Sequence, residues 1–465
     1  MVVVTTAPTS DVSTPDDAVV PGLNRASIEA AADRLDGVVA RTPLETCPRL
    51  SEATGTQVRL KREDLQTVRS YKIRGAYNVM AQLTPEELSA GVVAASAGNH
   101  AQGVAYACRT MGVKGRIYVP TTTPKQKRDR ISWHGREFVE LLAVGDTYDA
   151  AASAAQTDVL RTGATWIHAF DDARTAAGQG TIGKEIVEQL GTAPDVVILP
   201  VGGGGCLAGI VTYLRATCPD TAIVGVEPAG AVSLAAALVA GEPYTLDDID
   251  PFVDGAAVKR IGGLGHRVMA QAGARVVDHP VFATITDDPQ VPVISRDQID
   301  LAPGSVTVTH VDEGAICSTM LELYQNEGII AEPAGALTAT ALAELDLPAG
   351  ASVVVLVSGG NNDVSRYGEI IERSLVHRGL KHYFLVNFPQ EPGALRRFLD
   401  DVLGPDDDIT LFEYVKRNNR ETGAALVGVE LGSRESFGAL MDRMAHSRLD
   451  VELLEPGTPA YDYLT

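Results

Sequence analysis

Aromatic residues are scarce in this chain, 5% of 465 positions with only two tryptophans, and no apolar run reaches the roughly 18 residues that a membrane span needs. The opening Met-Val-Val-Val-Thr-Thr-Ala-Pro also lacks the basic stretch and apolar core of a secretory signal. Both absences predict a soluble, cytoplasmic protein. Positive charge is in deficit: 39 Lys and Arg face 60 Asp and Glu, for a formal charge of -21. Such a chain repels phosphate backbones and anionic lipid, which argues against nucleic-acid and membrane partners. Cysteine is sparse too. Cys47, Cys108, Cys206, Cys218 and Cys317 are widely spaced, with no C-x-x-C pair and no neighbouring histidine cluster. Neither a disulfide framework nor a structural metal site is expected, and a reducing compartment fits.

What the chain does have is 45% apolar composition over a length that supports two or three packed domains. Residues 1 to 21, rich in Thr, Pro, Asp and Ser, carry no period and read as a disordered tail. Beyond them, short Val/Ile runs begin at Gly91, Gly115, Asp195, Ala222 and Ser352 and alternate with helical patterns. Runs without polar alternation are the mark of strands buried on both faces, so parallel α/β layers are predicted. In open sheets of that kind, ligands bind beyond the carboxyl ends of the strands.

Two such corners stand out. Pro200 to Ile210 reads Pro-Val-Gly-Gly-Gly-Gly-Cys-Leu-Ala-Gly-Ile, a buried strand running through four glycines into a helix from Cys206 to about Ala216. Glycine destabilises strand and helix alike, so Gly202, Gly203, Gly204 and Gly205 imply a need for bare backbone whose amides converge on an anion, a phosphate above all. The second corner, Ala94 to Gly103, places Ser96, Asn99 and His100 at a small-residue turn, suited to a carboxylate and a ring hydroxyl or to ordinary helix capping. Gly178 to Glu185 comes close to a nucleotide-binding P-loop, but Glu185 stands where that motif needs Ser or Thr, and the segment reads as a helix start. Lys72, in Ser70-Tyr71-Lys72-Ile73-Arg74-Gly75, is either a snorkelling cation or a desolvated amine held for chemistry. After Gly379 the pattern becomes strand Lys381 to Phe388, helix Pro392 to Leu403, strands Asp408 to Lys416 and Gly423 to Leu431, helix Arg434 to His446 and strand Asp450 to Leu454. That βαββαβ order is a ferredoxin-like unit.

From about Arg41 to the C-terminus the chain resembles the fold-type II, pyridoxal-phosphate-dependent enzymes, and most closely the biosynthetic threonine dehydratases. The likeness rests on blocks in order: Lys61 to Gln66 with Ser70 to Ala76, Ser96 to Gly103, Gly202 to Gly205, Val258 to Gly262, Ala331 to Ala336, and Ser358 to Asn361. Tyr71 stands where the family more often has Phe, and Cys206 where it has Leu. The resemblance implies a tryptophan-synthase-β-like catalytic domain of two open α/β subdomains over residues 22 to 379, the smaller at roughly 75 to 175, and an ACT-like regulatory domain over 380 to 465. It makes Lys72 the lysine that links pyridoxal 5'-phosphate covalently. Gly202 to Gly205 and the Cys206 amide would hold the cofactor phosphate, Asn99 would face the ring oxygen, and Ser358 the pyridine nitrogen. The backbone amides of Ser96, Ala97, Gly98, Asn99 and His100 would take the carboxylate of L-threonine. Ala97 stands where related serine racemases carry a serine, which argues against racemisation. The ACT-like tail further implies inhibition by isoleucine, opposition by valine, and a homo-oligomer, expected to be a tetramer. Against this stand a nucleotide-dependent enzyme built on Gly178 to Glu185, a non-catalytic amino-acid sensor, and, within the family, a catabolic threonine/serine dehydratase.

Overall fold

The computed structural model describes residues 20–414, 421–447 and 449–464. Their strands form three sheets. The largest has eight strands in the order Leu44–Thr46, Gln57–Arg62, Ser352–Val357, Val196–Pro200, Ala222–Pro228, Val306–Val311, Arg275–Val277 and Val293–Ile294. All neighbours run parallel except the first pair. The strand Ser352–Val357 is third in that order, with Val355 in register with Leu60 on one side and Ile198 on the other. Successive side chains leave opposite faces of a strand. Here both faces are covered: Val354 and Leu356 enter one apolar cluster, Val353, Val355 and Val357 the other. That is the physical reason for unbroken Val/Ile runs.

A second, four-stranded parallel sheet is ordered Val139–Ala143, Gly115–Val119, Val92–Ala95 and Thr165–Trp166. The helices Asn99–Met111 and Lys125–Gly135 follow two of its strands. The third sheet is antiparallel, in the order Asp408–Tyr414, Thr422–Glu430, Lys381–Pro389 and Asp450–Leu454, and carries the helices Ala394–Asp401 and Ser436–His446. This is the ferredoxin-like order read from the sequence. Its first helix is shorter than the expected Pro392 to Leu403, because Gly393, at φ +89°, turns the chain left-handed just ahead of it. Val415 and Lys416, assigned above to a strand, lie outside the described residues, and a helix Pro459–Leu464 was not anticipated. Of the expected tail, residues 1 to 19 also lie outside them. Val20, however, is buried and pairs with Leu23, so packing starts ahead of residue 22.

The segment Gly178 to Glu185 corrects the sequence reading. It is the middle of the helix Ala173–Leu190, not a helix start. Its glycines let two other helices approach backbone to backbone. A Cβ on Gly178 would fall 2.7 Å from the Arg74 carbonyl oxygen, and one on Gly180 would fall 2.8 Å from that of Gly209. The helices in contact are Lys72–Met80 and Gly205–Thr217, the carriers of Lys72 and of the glycine loop. Beside this crossing sits a buried charge cluster. The Arg74 guanidinium donates to both Glu63 oxygens at 2.8 Å and to Glu185 at 2.6 and 3.0 Å, while Lys61 donates to Glu185 at 2.6 Å. Burial pushes the Glu63 carboxyl up, but Arg74 and Lys61 pull it below its ordinary value.

Candidate active site

Three strand ends meet above the two parallel sheets. The Tyr71 amide donates to the Ser358 carbonyl at 3.2 Å and the Gly360 amide to that of Arg69 at 2.9 Å, with Ser70 bridged to Gly359. This pairing sets the first turn of the Lys72–Met80 helix on the end of the strand Ser352–Val357. Arg69 takes a left-handed φ of +57°, a conformation that costs a non-glycine residue about 1 kcal/mol and holds only where the surroundings impose it. The Lys72 Nζ lies 3.2 Å from the Ala169 carbonyl oxygen and 5.2 Å from the centre of the Tyr71 ring. Burial draws its amine down to about 8, against the opposing influence of Cys206 and Glu332. The amine is therefore desolvated rather than snorkelling.

The glycine loop opens the 13-residue helix Gly205–Thr217, with Gly204 at φ +88° as its cap. Here glycine is required twice over. A Cβ on Gly203 would fall 2.2 Å from the Phe170 ring, one on Gly205 would fall 2.6 Å from the Phe170 oxygen, and one on Gly202 would fall 3.1 Å from Ala256. The Cys206 thiol is buried and pushed up to about 12, so it stays neutral.

In the Ser96 to His100 turn, Gly98 caps the helix Asn99–Met111, and no side chain caps it. Ser96 Oγ accepts from the Gly98 amide at 3.3 Å. His100 is a packed core histidine: its Nε2 meets the Ile167 oxygen at 2.8 Å, and burial, reinforced by Lys72, pushes the ring down to about 3. The Asn99 Nδ2 donates to Glu332 Oε1 at 2.6 Å, and its Oδ1 accepts from Asn361 at 2.6 Å. One N–H of the Asn99 amide stays uncommitted. Ser358 is buried, and its Oγ donates to the Ala334 carbonyl at 3.1 Å.

Contacts join several of the residues read from the sequence: Ala169 and Phe170 link Lys72 to the glycine loop, the Tyr71 amide meets the Ser358 carbonyl, and Cys206 and Glu332 act on the Lys72 amine. Sequence reasoning missed Phe170, the Ala169 carbonyl and Arg130, which lie in segments with no motif to mark them. Glu332 and Asn361 sat inside recognised blocks without an assigned role. Glu332 stands at the N-cap of the helix Pro333–Leu342 without a side-chain cap bond; its carboxylate holds Asn99 instead, and burial, reinforced by Asp254, raises it to about 7. The cleft suits an aldehyde-bearing phosphate: a low-pKa amine, a helix N-terminus with bare amides, and a buried hydroxyl. Ser70 Oγ and His100 Nδ1, both buried beside Lys72, have no partner among the described residues.

The pattern of a pyridoxal-phosphate-dependent enzyme matches residues 35–281, and that of the C-terminal regulatory domain of threonine dehydratase matches residues 372–464. The biosynthetic L-threonine dehydratase of Mycobacterium tuberculosis is 61% identical over 442 residues, covering 95% of this chain and 96% of the relative. That of Corynebacterium glutamicum is 57% identical over 446 residues, 95% of each. The chain belongs to the biosynthetic threonine dehydratase family. Among solved structures, the processed form of threonine deaminase isoform 2 from Solanum lycopersicum superposes with a TM-score of 0.63 at 33% identity, over 76% of this chain and 94% of that one. Maize serine racemase gives 0.62 at 28%, over 77% and 99%. The dehydratase is accordingly a fold-type II lyase that uses pyridoxal phosphate and carries a regulatory domain. No helix among its described residues is long and apolar enough to cross a membrane.

Proposed function

We propose that the chain converts L-threonine to 2-oxobutanoate and ammonia in the cytoplasm, at the head of isoleucine synthesis, with lower activity on L-serine and feedback control through its C-terminal unit. The observation that supports this reading is the Lys72 amine, drawn down to about 8, linked to the glycine loop through Ala169 and Phe170 and to Ser358 through Tyr71. Lys72 would hold pyridoxal phosphate, the Gly202 to Gly205 and Cys206 amides its phosphate, Asn99 its ring oxygen through the uncommitted N–H, and Ser358 its pyridine nitrogen. When bound, the cofactor supplies an electron sink for the pair left at Cα. Amides from Ser96 to His100 orient the substrate carboxylate at a helix N-terminus. With substrate in place, the Lys72 amine would take the Cα proton. The β-hydroxyl then leaves with a proton as water, and the resulting enamine hydrolyses to the oxoacid and ammonia. A hydroxyl at Ser358, unlike a carboxylate, does not enforce protonation of the ring nitrogen, which favours elimination over transamination. Ala97 offers no second acid or base for racemisation.

The catalytic unit would end at Gly379 and the regulatory unit occupy 380 to 465. Glu372, on the helix Tyr367–His377, accepts from Tyr383 at 2.5 Å and pairs with Lys381, which ties the last catalytic helix to the first regulatory strand. Isoleucine bound more tightly to a low-activity state, and opposed by valine, would need about 1 to 3 kcal/mol of coupling to change threonine affinity about 5- to 150-fold. Coupling of that kind favours a symmetric oligomer, a tetramer in this proposal. The test is oxoacid release from threonine by the full chain and by a chain truncated after Gly379, each with and without isoleucine. Full-length enzyme should be inhibited and the truncated form should not. Equal sensitivity would refute the regulatory reading, and absence of 2-oxobutanoate the catalytic one.

A further inference from the structure

A single run of side-chain hydrogen bonds crosses the cleft. The Arg130 Nη1 donates to Asn361 Oδ1 at 2.6 Å, the Asn361 Nδ2 donates to Asn99 Oδ1 at 2.6 Å and to the Val68 carbonyl at 2.7 Å, and the Asn99 Nδ2 donates to Glu332 Oε1 at 2.6 Å. Arginine can only donate and a backbone carbonyl can only accept. Arg130 on its oxygen and the Val68 carbonyl on its NH2 leave Asn361 one orientation, and that NH2 on the Asn99 oxygen leaves Asn99 one too. Asn361 must turn its oxygen to Arg130, so its NH2 faces Asn99, and Asn99 must then turn its own NH2 towards Glu332. The run also joins separate bodies: Arg130 and Asn99 lie on helices that follow strands of the small sheet, Asn361 and Glu332 at the ends of elements packed on the large one. A Lys127–Asp254 ion pair bridges the same gap. The segment holding Asp254 reaches the glycine loop, since a Cβ on Gly202 would lie 3.2 Å from the Gly255 oxygen.

We propose that Arg130, Asn361 and Glu332 are positioning residues that fix the rotation of the Asn99 amide and latch the two α/β units together across the cleft. The proposal rests on the reading that Asn99 serves the cofactor ring oxygen. With its NH2 held on Glu332, Asn99 offers the cleft a donor; flipped, it would offer an acceptor to an oxygen and repel it. Burial, with the Asp254 charge beside it, holds the Glu332 carboxyl at about 7, against the hydrogen bonds it accepts from the Asn99 side chain and the Asn361 backbone. Arg130 hydrogen-bonds Asn361 and its charge also acts on Glu332, so its contribution reaches Asn99 through those two neighbours.

The test is a double-mutant cycle on the cofactor-loaded enzyme, combining Arg130→Met with Asn99→Ala. Two readouts are taken: kcat/KM for threonine, and the pH midpoint of the visible absorbance of the bound cofactor without substrate. Arg130→Met should lower kcat/KM roughly tenfold, mainly in kcat, and shift the absorbance midpoint in the same direction as Asn99→Ala. In the Asn99→Ala background the same change should cost less than about twofold and leave the midpoint still. Arg130→Lys, which keeps a donor, should recover most of the loss. Additive losses, an unmoved midpoint, or a loss explained by lower cofactor content and melting temperature would each overturn the proposal. Should Arg130→Met not fold, Asn361→Ala runs the same cycle from the next link. If Asn99→Ala alone leaves both readouts unchanged, the reading of the site itself fails; additivity beside an impaired Asn99→Ala condemns only the latch.

Discussion

Gly209 touches neither cofactor nor substrate in this account, yet replacing it with alanine should damage the site. It lies in the helix Gly205–Thr217, whose first turn would cup the cofactor phosphate. A Cβ there would sit 2.0 Å from the Ala176 carbonyl oxygen and 2.7 Å from the Gly180 nitrogen. Both atoms are backbone of the crossing helix Ala173–Leu190 and cannot rotate away. Ordinary contact begins near 3.4 Å, so the helices must part by about 1.4 Å at this point. Overpacking of this kind costs roughly 1–3 kcal/mol, and a comparable displacement of the phosphate-binding amides weakens cofactor binding further. The control is Gly183→Ala on the facing helix. Its Cβ would meet Ile210 at 3.4 Å, ordinary contact, while alanine gains about 0.8–1.0 kcal/mol over glycine in a helix interior. At about 1.3 °C per kcal/mol for a unit of this size, Gly209→Ala should lower the apparent melting temperature by roughly 1–4 °C, and Gly183→Ala should hold or raise it. Differential scanning calorimetry, with cofactor affinity followed by visible absorbance, reads both. The reasoning is refuted if Gly209→Ala melts with wild type and keeps its cofactor, or if Gly183→Ala is equally harmful.

Arg74→Met should destabilise the catalytic unit by about 3–5 kcal/mol in urea unfolding, because it leaves the buried Glu63 without its main counter-charge; a loss below about 1 kcal/mol would contradict the buried-cluster reading. Glu227, fully buried and accepting from the Leu234 and Ala235 amides, is raised by burial from 4.5 to about 8. The folded protein therefore holds a proton that the unfolded chain releases, a contribution present below the ordinary carboxyl value and lost as pH rises towards 8. The melting temperature of Glu227→Gln should accordingly vary less than wild type between about pH 5 and 8, and parallel profiles would count against it.

The parallel sheets were legible because strands buried on both faces leave unbroken apolar runs, and the C-terminal unit because its first strand, Lys381–Pro389, keeps an alternation of period two. The glycine loop was legible as bare backbone, but not its second cause, the Phe170 ring packed on Gly203. The Gly178 to Glu185 segment, read as a helix start, lies mid-helix because glycines that suggest a helix boundary are also what a close helix crossing demands, and only the partners, here Gly75 and Gly209, tell the two apart. Arg130 was invisible for a different reason: a basic helix reads as a solvated face until the fold sets one of its guanidinium groups against Asn361. The left-handed Arg69 gives no sequence sign, since its conformation is imposed by the strand end it joins.

The central claim is that Lys72 carries the cofactor. Borohydride reduction of the yellow enzyme followed by peptide mass spectrometry should find the pyridoxyl group on the peptide containing Ser70-Tyr71-Lys72, and Lys72→Ala should lose both that label and steady-state release of 2-oxobutanoate. A pyridoxyl group on any other lysine, or substantial turnover by Lys72→Ala, would contradict the account.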